Sequence, residues 1–139
     1  MIKAIIFDLD GVIIDSEPLW KETEKKVFAT VGLQLTTEMC RQTVGLDTKD
    51  TVAYWFARKP WNGKTQKQLY KEIIREMVIA LNNEVELKEG FLQVLTFFTE
   101  QSIPVAVASS SPPLIINTAL DKFRLRNKFK VICSSEKEK

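Results

Sequence analysis

The sequence predicts an α/β fold in which a small parallel sheet carries a long helical insertion. Three short apolar runs, residues 2–7, 104–108 and 130–133, have the length of strands and lack polar alternation. Runs of this kind are typical of parallel strands that are buried on both faces. Helical patterns separate the three runs, and alternation of strands with helices favours a parallel sheet.

The segment between the first and second runs has helical patterns almost throughout. Cap residues, turn glycines and amphipathic stripes divide it into four helices. We therefore predict an α/β core of residues 1–16 and 85–139, and an all-helical cap of residues 17–84. The predicted cap helices open at Ser16, at Thr36 or Thr37, at Asp47 and at Thr65.

Composition excludes several classes of function. The net charge of +2 is too small to indicate a nucleic-acid partner. No apolar stretch has the length of a membrane span, and no signal-peptide pattern is present, so we expect a cytoplasmic protein without a membrane partner. Cys40 and Cys133 lie too far apart to form a metal motif. The absence of histidine excludes Ser-His and Cys-His nucleophiles.

Two carboxylates follow the first strand with one residue between them. Asp8 and Asp10 come after Ile5–Phe7 and are followed by Gly11. Side chains alternate along a strand, so both carboxylates are expected to point the same way. Two like charges held together are unfavourable unless a cation or phosphoryl chemistry uses them. The simpler alternative is an Asp-rich turn that caps the next element.

The segment from Ile5 to Val12, with Asp15-Ser16-Glu17-Pro18 after it, resembles the first motif of the haloacid dehalogenase (HAD) superfamily. The helical insertion and the Trp61-Asn62-Gly63 turn are similar to one branch of it. That branch contains sugar-phosphate phosphatases, bacterial hexitol and 2-deoxyglucose-6-phosphate phosphatases, and β-phosphoglucomutases. The resemblance implies a HAD-like Rossmannoid parallel sheet, represented here by three strands, with an inserted all-helical cap.

The resemblance also implies roles for the two carboxylates. Asp8 would be the nucleophile that takes up the phosphoryl group, and Asp10 the general acid and base. Both would contact a Mg²⁺ cofactor. The implied enzyme is a phosphoric monoester hydrolase that acts on a small phosphorylated sugar or sugar alcohol.

Further residues are implied in phosphate binding. Ser109 ends the second strand, where the family has its second motif, and its hydroxyl would act with the Ser110 amide. Gly11 would contribute beside Asp10. Lys49 follows Gly45 in a region where relatives carry an arginine that grips the substrate phosphate.

The family carries its third and fourth motifs after the region that this sequence resembles. We therefore expect the chain to be the front part of an enzyme, with weakened Mg²⁺ and phosphate binding. The alternative is a catalytically inactive fragment that serves as a binding or assembly module. The first strand is central in the family, so its outer edge would lack a neighbour here, and a bare edge is a template for pairing. A homodimer through this edge is a further prediction.

Overall fold

The computed structural model describes residues 2–137 and contains a three-stranded parallel sheet. The strands are β1 (Ile5–Phe7), β2 (Val105–Ser109) and β3 (Val131–Ser134), in the spatial order β1-β2-β3. The observed architecture confirms the predicted α/β fold. The first strand is shorter than expected, since residues 2–4 lie outside it.

The chain divides into two compact units. One consists of the described residues up to Glu17 and from Leu81 onward, and the other is Pro18–Ala80. Between residues 17 and 84 the described chain forms helices and no strand. Among the described residues, no helix combines the length and apolar character needed to cross a bilayer. The helices are α1 (Glu17–Ala29), α2 (Thr37–Arg41), α3 (Thr48–Arg58), α4 (Gln66–Glu84), α5 (Phe91–Glu100) and α6 (Pro113–Lys122), with short 3₁₀ turns at Arg126–Lys128 and Ser135–Lys137.

One face of the sheet is open, which corrects the expectation of strands buried on both faces. Ile6 is 69% exposed and Val131 is 53% exposed, although Phe7 and Val107 on the other face are buried. Cys133 shares the open face and is also exposed. The strands follow one another in a single direction across the sheet, and right-handed crossovers then place both connecting helices on one side. The apolar runs therefore gave no information on which face lacks a covering layer.

An aromatic cluster fixes the first strand to the covered face. The ring of Phe7 meets that of Phe91 edge-on, with centroids 5.4 Å apart. Phe129 approaches the same ring edge-on at 6.3 Å. Such pairs contribute about 0.5–1.5 kcal/mol each beyond area burial. They hold the end of β1, and hence the residues that follow it, against α5 and the loop before β3.

The helical unit has its own apolar core around Trp61. This ring lies edge-on to Phe28 at 5.7 Å and to Phe56 at 4.8 Å. Its indole N–H donates to the carbonyl of Lys64 at 3.1 Å, so the buried polar atom is satisfied. Trp61 is therefore a core residue of this unit. Other buried members are Val27, Leu33, Leu35, Cys40, Val52, Trp55, Leu69 and Ile73.

The chain leaves the sheet and returns to it along two segments that run side by side. The Asp15 N–H donates to the Glu86 carbonyl at 2.9 Å, and the Lys88 N–H donates to the Ile13 carbonyl at 2.9 Å. The Lys88 ammonium also lies 3.4 Å from the Asp15 carboxylate. These antiparallel contacts join the two ends of the insertion at one place.

Candidate active site

The chain after β1 folds into a tight, hydrogen-bonded turn. The amides of Ile13 and Ile14 both donate to the Leu9 carbonyl, at 2.9 and 3.1 Å. The Gly11 N–H donates to the Ile14 carbonyl at 2.9 Å. Gly11 has φ of +77°, a left-handed conformation that glycine adopts without steric cost. The turn therefore fixes the backbone of Asp10, which lies between Leu9 and Gly11.

The Asp10 carboxylate is held by two serine hydroxyls. Ser16 donates to Oδ1 at 2.5 Å, and Ser111 donates to Oδ2 at 2.6 Å. Both serines are buried, and Ser16 has no exposed surface. Hydrogen bonds to an ionised carboxylate are about twice as strong as neutral ones. The carboxylate group of Asp10 is thus locked in one orientation.

The serine network extends to the ends of the other two strands. The Ser109 hydroxyl oxygen accepts the Ser111 N–H at 3.1 Å. The Ser134 hydroxyl donates to the Ser111 carbonyl at 2.8 Å. Asp10 is therefore linked to the carboxyl ends of β2 and β3. This edge of an open α/β sheet is where ligands generally bind.

Asp8 has a different environment from Asp10. Its side chain is exposed, and its Oδ1 atom accepts the Leu9 N–H at 2.6 Å. Within the described part of the chain, no other hydrogen bond or ion pair reaches this carboxylate. The two carboxylates are therefore unequal, because one is held by buried hydroxyls and the other remains open to solvent.

The structure brings some of the predicted site residues together. Ser109 is buried at the end of β2 and joins Asp10 through Ser111, whereas the adjacent Ser110 is exposed. The Gly11 amide is already used within its own turn. Lys49 belongs to α3 in the helical unit, with its ammonium 5.3 Å from the centroid of the Tyr70 ring. The phosphate-binding roles of Ser109, Ser110, Gly11 and Lys49 remain predictions.

Three members of the network were missed by sequence reasoning. Ser16 was interpreted only as a helix cap, although its hydroxyl donates to Asp10. Ser111 and Ser134 were assigned no role. A usable signal was present, because serines follow two neighbouring strands, at 109–111 and at 134–135. The carboxyl ends of parallel strands lie at the same edge of a sheet, so these serines are expected to lie close together there.

The donor set at this edge suits Mg²⁺. Among residues 2–137, no group of three or more His, Cys, Asp or Glu side chains is arranged to hold a metal ion. Mg²⁺, however, usually keeps several waters and takes only one or two carboxylates from the protein. The exposed Asp8 carboxylate and the Asp10 backbone carbonyl supply hard oxygen ligands, and they leave the Asp10 carboxylate to Ser16 and Ser111. The residues therefore fit the ion.

An α/β sheet whose first strand is followed by Asp-x-Asp and then by a helical insertion is the arrangement of a HAD-like hydrolase. The sequence profile described as "Haloacid dehalogenase-like hydrolase" matches residues 5–139. The chain belongs to this family.

Curated relatives include two proteins that are named as phosphatases. Hexitol phosphatase B of Escherichia coli strain K12 is 34% identical over 137 residues, which are 98% of this chain and 62% of the relative. The phosphorylated carbohydrates phosphatase of Thermotoga maritima is 28% identical over 124 residues, which are 88% of this chain and 55% of the relative. The chain thus spans less than two thirds of the length of these relatives.

Solved structures share the fold. CbbY from Rhodobacter sphaeroides in complex with xylulose-1,5-bisphosphate superposes with a TM-score of 0.86 at 20% identity, over 97% of this chain and 64% of that one. A β-phosphoglucomutase from Clostridium difficile gives a TM-score of 0.81 at 23% identity, over 99% of this chain and 63% of that one. At these identities the similarity establishes the fold alone.

Proposed function

We propose that this chain performs phosphoryl transfer from small sugar phosphates or sugar-alcohol phosphates through an aspartyl-phosphate at Asp8. The observation that carries the proposal is the inequality of the two carboxylates at the end of β1. Asp8 is exposed with one backbone hydrogen bond, whereas two buried hydroxyls hold Asp10. A nucleophile needs access to phosphorus, and a proton donor needs a fixed position.

In the proposed reaction, an Asp8 oxygen forms a bond to phosphorus as the bond to the sugar oxygen breaks. Asp10 gives a proton to that leaving oxygen. A water molecule then attacks the aspartyl-phosphate, gives its proton to Asp10 and releases inorganic phosphate. This sequence restores both carboxyl groups, and it is the covalent route generally open to carboxylate nucleophiles.

The serine partners suit an Asp10 that changes protonation state. A hydroxyl group can donate to an ionised carboxylate and can rotate to accept from a protonated one. Ser16 and Ser111 can therefore keep Asp10 in place in both halves of the reaction. Ser109 is proposed to donate its hydroxyl proton to a phosphoryl oxygen, because its oxygen already accepts the Ser111 N–H.

Mg²⁺ is the proposed cofactor, which the Asp8 carboxylate and the Asp10 backbone carbonyl would hold. When bound, it would supply positive charge against the phosphoryl oxygens. The sugar-phosphate class is supported by the relatives, since both of those described above are named as phosphatases of phosphorylated carbohydrates or hexitols. Lys49 remains a proposed contact for the substrate phosphate.

A matched pair of variants tests the proposal. The 139-residue chain is assayed for Mg²⁺-dependent release of p-nitrophenol from p-nitrophenyl phosphate, beside Asp8→Asn and Asp15→Asn. Asp15 is an exposed carboxylate a few residues away with no assigned chemical role. We expect Asp8→Asn to lose turnover by at least about a thousandfold and Asp15→Asn to keep it. Retention of activity in Asp8→Asn would exclude Asp8 as nucleophile.

Binding of beryllofluoride, which mimics an aspartyl-phosphate, gives a readout independent of turnover. Bound fluoride is measured by ¹⁹F NMR with Mg²⁺, and Asp8→Asn serves as the blank. A chain that neither hydrolyses phosphate esters nor binds beryllofluoride would favour the alternative, a catalytically inactive binding or assembly module.

The open face of the sheet is the observation that favours this alternative. Ile6 and Val131 present apolar side chains there, and β1 pairs with no strand on its outer side among the described residues.

We propose that a second copy of the chain covers this edge and face. Sedimentation of the wild type, Ile6→Lys and Ile79→Lys tests it, because Ile79 is a comparably apolar, exposed residue of the helical unit. We expect Ile6→Lys alone to be monomeric. A strictly monomeric wild type would exclude the dimer.

A further inference from the structure

A pocket of about 430 Å³ lies in the helical unit, where the first turns of α3 and α4 meet. This volume falls within the range of small-molecule sites, about 300–1,000 Å³. The Asp10 network contributes no residue to it. The lining residues are Lys49, Val52, Gln66, Lys67, Tyr70 and Lys71.

Three lysines surround this pocket. Lys67 and Lys71 are four residues apart on α4, so they are neighbours on one side of the helix. Lys49 comes from the first turn of α3, and its ammonium lies 5.3 Å from the centroid of the Tyr70 ring. Two separate helices thus direct positive charge toward one concave surface.

This concentration of positive charge is unfavourable for the helix that carries it. A helix N-terminus bears a partial positive charge, which favours acidic residues and disfavours lysine. The first turn of α4 contains Lys67 and no acidic residue. Lysines four residues apart on one helix repel each other. By contrast, α3 begins with a carboxylate cap, since Asp47 accepts the Asp50 N–H at 2.8 Å.

No carboxylate within residues 2–137 forms an ion pair with Lys67 or Lys71. The neighbouring Lys64 shows what such a pair looks like here, because its ammonium lies 2.6 Å from Glu72. The charge that the described fold leaves unpaired on Lys67 and Lys71 is a local conflict, and such conflicts are expected at functional sites. A bound anion would remove it.

The inner surface of the pocket is mostly apolar. Val52 forms part of its wall and is only 1% exposed. The Tyr70 ring is half-buried, and the lysine side chains add aliphatic stems below their ammonium groups. A fully hydrated inorganic ion would leave this surface without a partner, whereas an apolar group would cover it.

We propose that the pocket binds a small amphiphilic anion, in which a compact aromatic or aliphatic body carries a sulfonate, carboxylate or phosphate group. The body lies against Val52 and the Tyr70 ring. The anionic group lies near Lys67 and Lys71. This binding site does not depend on the proposed phosphatase activity, because its test measures binding alone.

The probe for the test is 1-anilinonaphthalene-8-sulfonate, titrated into the 139-residue chain and followed by its fluorescence. Lys67→Gln/Lys71→Gln is compared with Lys128→Gln/Lys130→Gln, a pair of exposed lysines of the other unit with the same change in net charge. We expect the pocket variant to bind at least about tenfold more weakly and the control within about twofold of the wild type. Affinity should also fall as NaCl rises from about 50 to about 500 mM.

Backbone amide shifts measured by NMR locate the probe. The largest shift changes on adding the probe are expected in the first turns of α3 and α4. This probe also adheres to exposed apolar surfaces, so shifts confined to the sheet face around Ile6 and Val131 would overturn the proposal. Equal affinity of the pocket variant and the wild type would overturn it too. The proposal would also be overturned if the wild type bound the uncharged analogue N-phenyl-1-naphthylamine as tightly as the sulfonate probe. Equal affinities would mean that the lysines do not contribute to binding.

Discussion

The Ser111 hydroxyl reaches the Asp10 carboxylate at 2.6 Å across 101 residues of sequence. One hydrogen bond therefore joins the loop after β1 to the loop after β2. The same serine accepts the Ser134 hydroxyl through its carbonyl, so it also connects the end of β3. A single buried residue, through its hydroxyl and its backbone, thus connects the edge of the sheet at which the proposed chemistry takes place.

Replacing this serine should weaken the fold measurably. Ser111→Ala removes a hydrogen bond to a charged group, and such bonds contribute about 1.5–3 kcal/mol. We expect the free energy of unfolding in urea to fall by that amount. Ser110→Ala is the control, because Ser110 is exposed and its loss should change stability by less than about 0.5 kcal/mol. Equal stabilities of the two variants would show that the Asp10 bond contributes nothing net.

The two carboxylates should respond differently to neutralisation. Asp10→Asn weakens two short hydrogen bonds from buried hydroxyls, whereas Asp8→Asn alters one contact of an exposed group. Repulsion between the carboxylates favours either substitution, but solvent at Asp8 screens it. We expect Asp10→Asn to be the less stable variant by about 1 kcal/mol or more in thermal or urea unfolding. Greater loss of stability in Asp8→Asn would contradict the assigned environments.

Stability should depend on pH through Glu24 in α1. Burial raises the pKa of this carboxyl from 4.5 to about 7. Between these values the folded chain retains a proton that the unfolded chain has lost. The contribution of Glu24 to the free energy of unfolding is therefore fully present below about pH 4.5. It is lost as the pH rises through about 7, and it amounts to on the order of 3 kcal/mol in total.

Urea titrations at a series of pH values measure this dependence. Glu24→Gln carries no ionisable group at this position. The free energy of unfolding of this variant should therefore change less between about pH 4.5 and about pH 7 than that of the wild type. Glu84→Gln, at an exposed position of α4, should leave the wild-type slope in place. A wild-type profile that is already flat in this range would disprove the role of Glu24.

The two thiols should differ sharply in reactivity. Cys133 is exposed on the open face, whereas Cys40 is only 3% exposed. Burial, and then the charge of Glu24, raise the pKa of Cys40, so less reactive thiolate forms there. Iodoacetamide should modify one thiol of the native chain rapidly, and Cys133→Ser should remove that rapid phase in intact-mass measurements.

The same labelling also reports on self-association. Cover of the open face by a second copy would slow Cys133 modification as the protein concentration rises. A rate that stays constant up to high concentration would indicate that this face remains open in solution.

The sequence allowed the strands and helices to be located within a few residues, since apolar runs and cap residues are local signals. Ser109 was placed at the end of β2, where it lies. The HAD family itself followed from the residues around Asp8 and Asp10, and the family profile confirms it.

Features that depend on distant contacts were not predicted. Exposure of Ile6 and Val131 depends on which side of the sheet the crossovers take, and a run of apolar residues does not contain that information. The bond from Ser111 to Asp10 requires two loops to meet. The lysine pocket forms only where α3 and α4 come together. In the sequence alone, Lys67 and Lys71 are ordinary residues of an exposed helix surface.

The paired segments at the base of the insertion bear on the order in which the chain folds. The strands β1 and β2 are neighbours in the sheet but distant in sequence, and closing so long a loop has an entropic cost that slows folding. Once the helices of residues 18–80 have formed, the Asp15–Glu86 and Lys88–Ile13 bonds shorten the effective loop, because residues 16–85 no longer count toward its length. We therefore expect the insertion to fold before the sheet. Phe28→Ala, which damages only the core of the insertion, is accordingly expected to delay β1–β2 pairing in stopped-flow refolding, and an unchanged refolding rate would place sheet formation first.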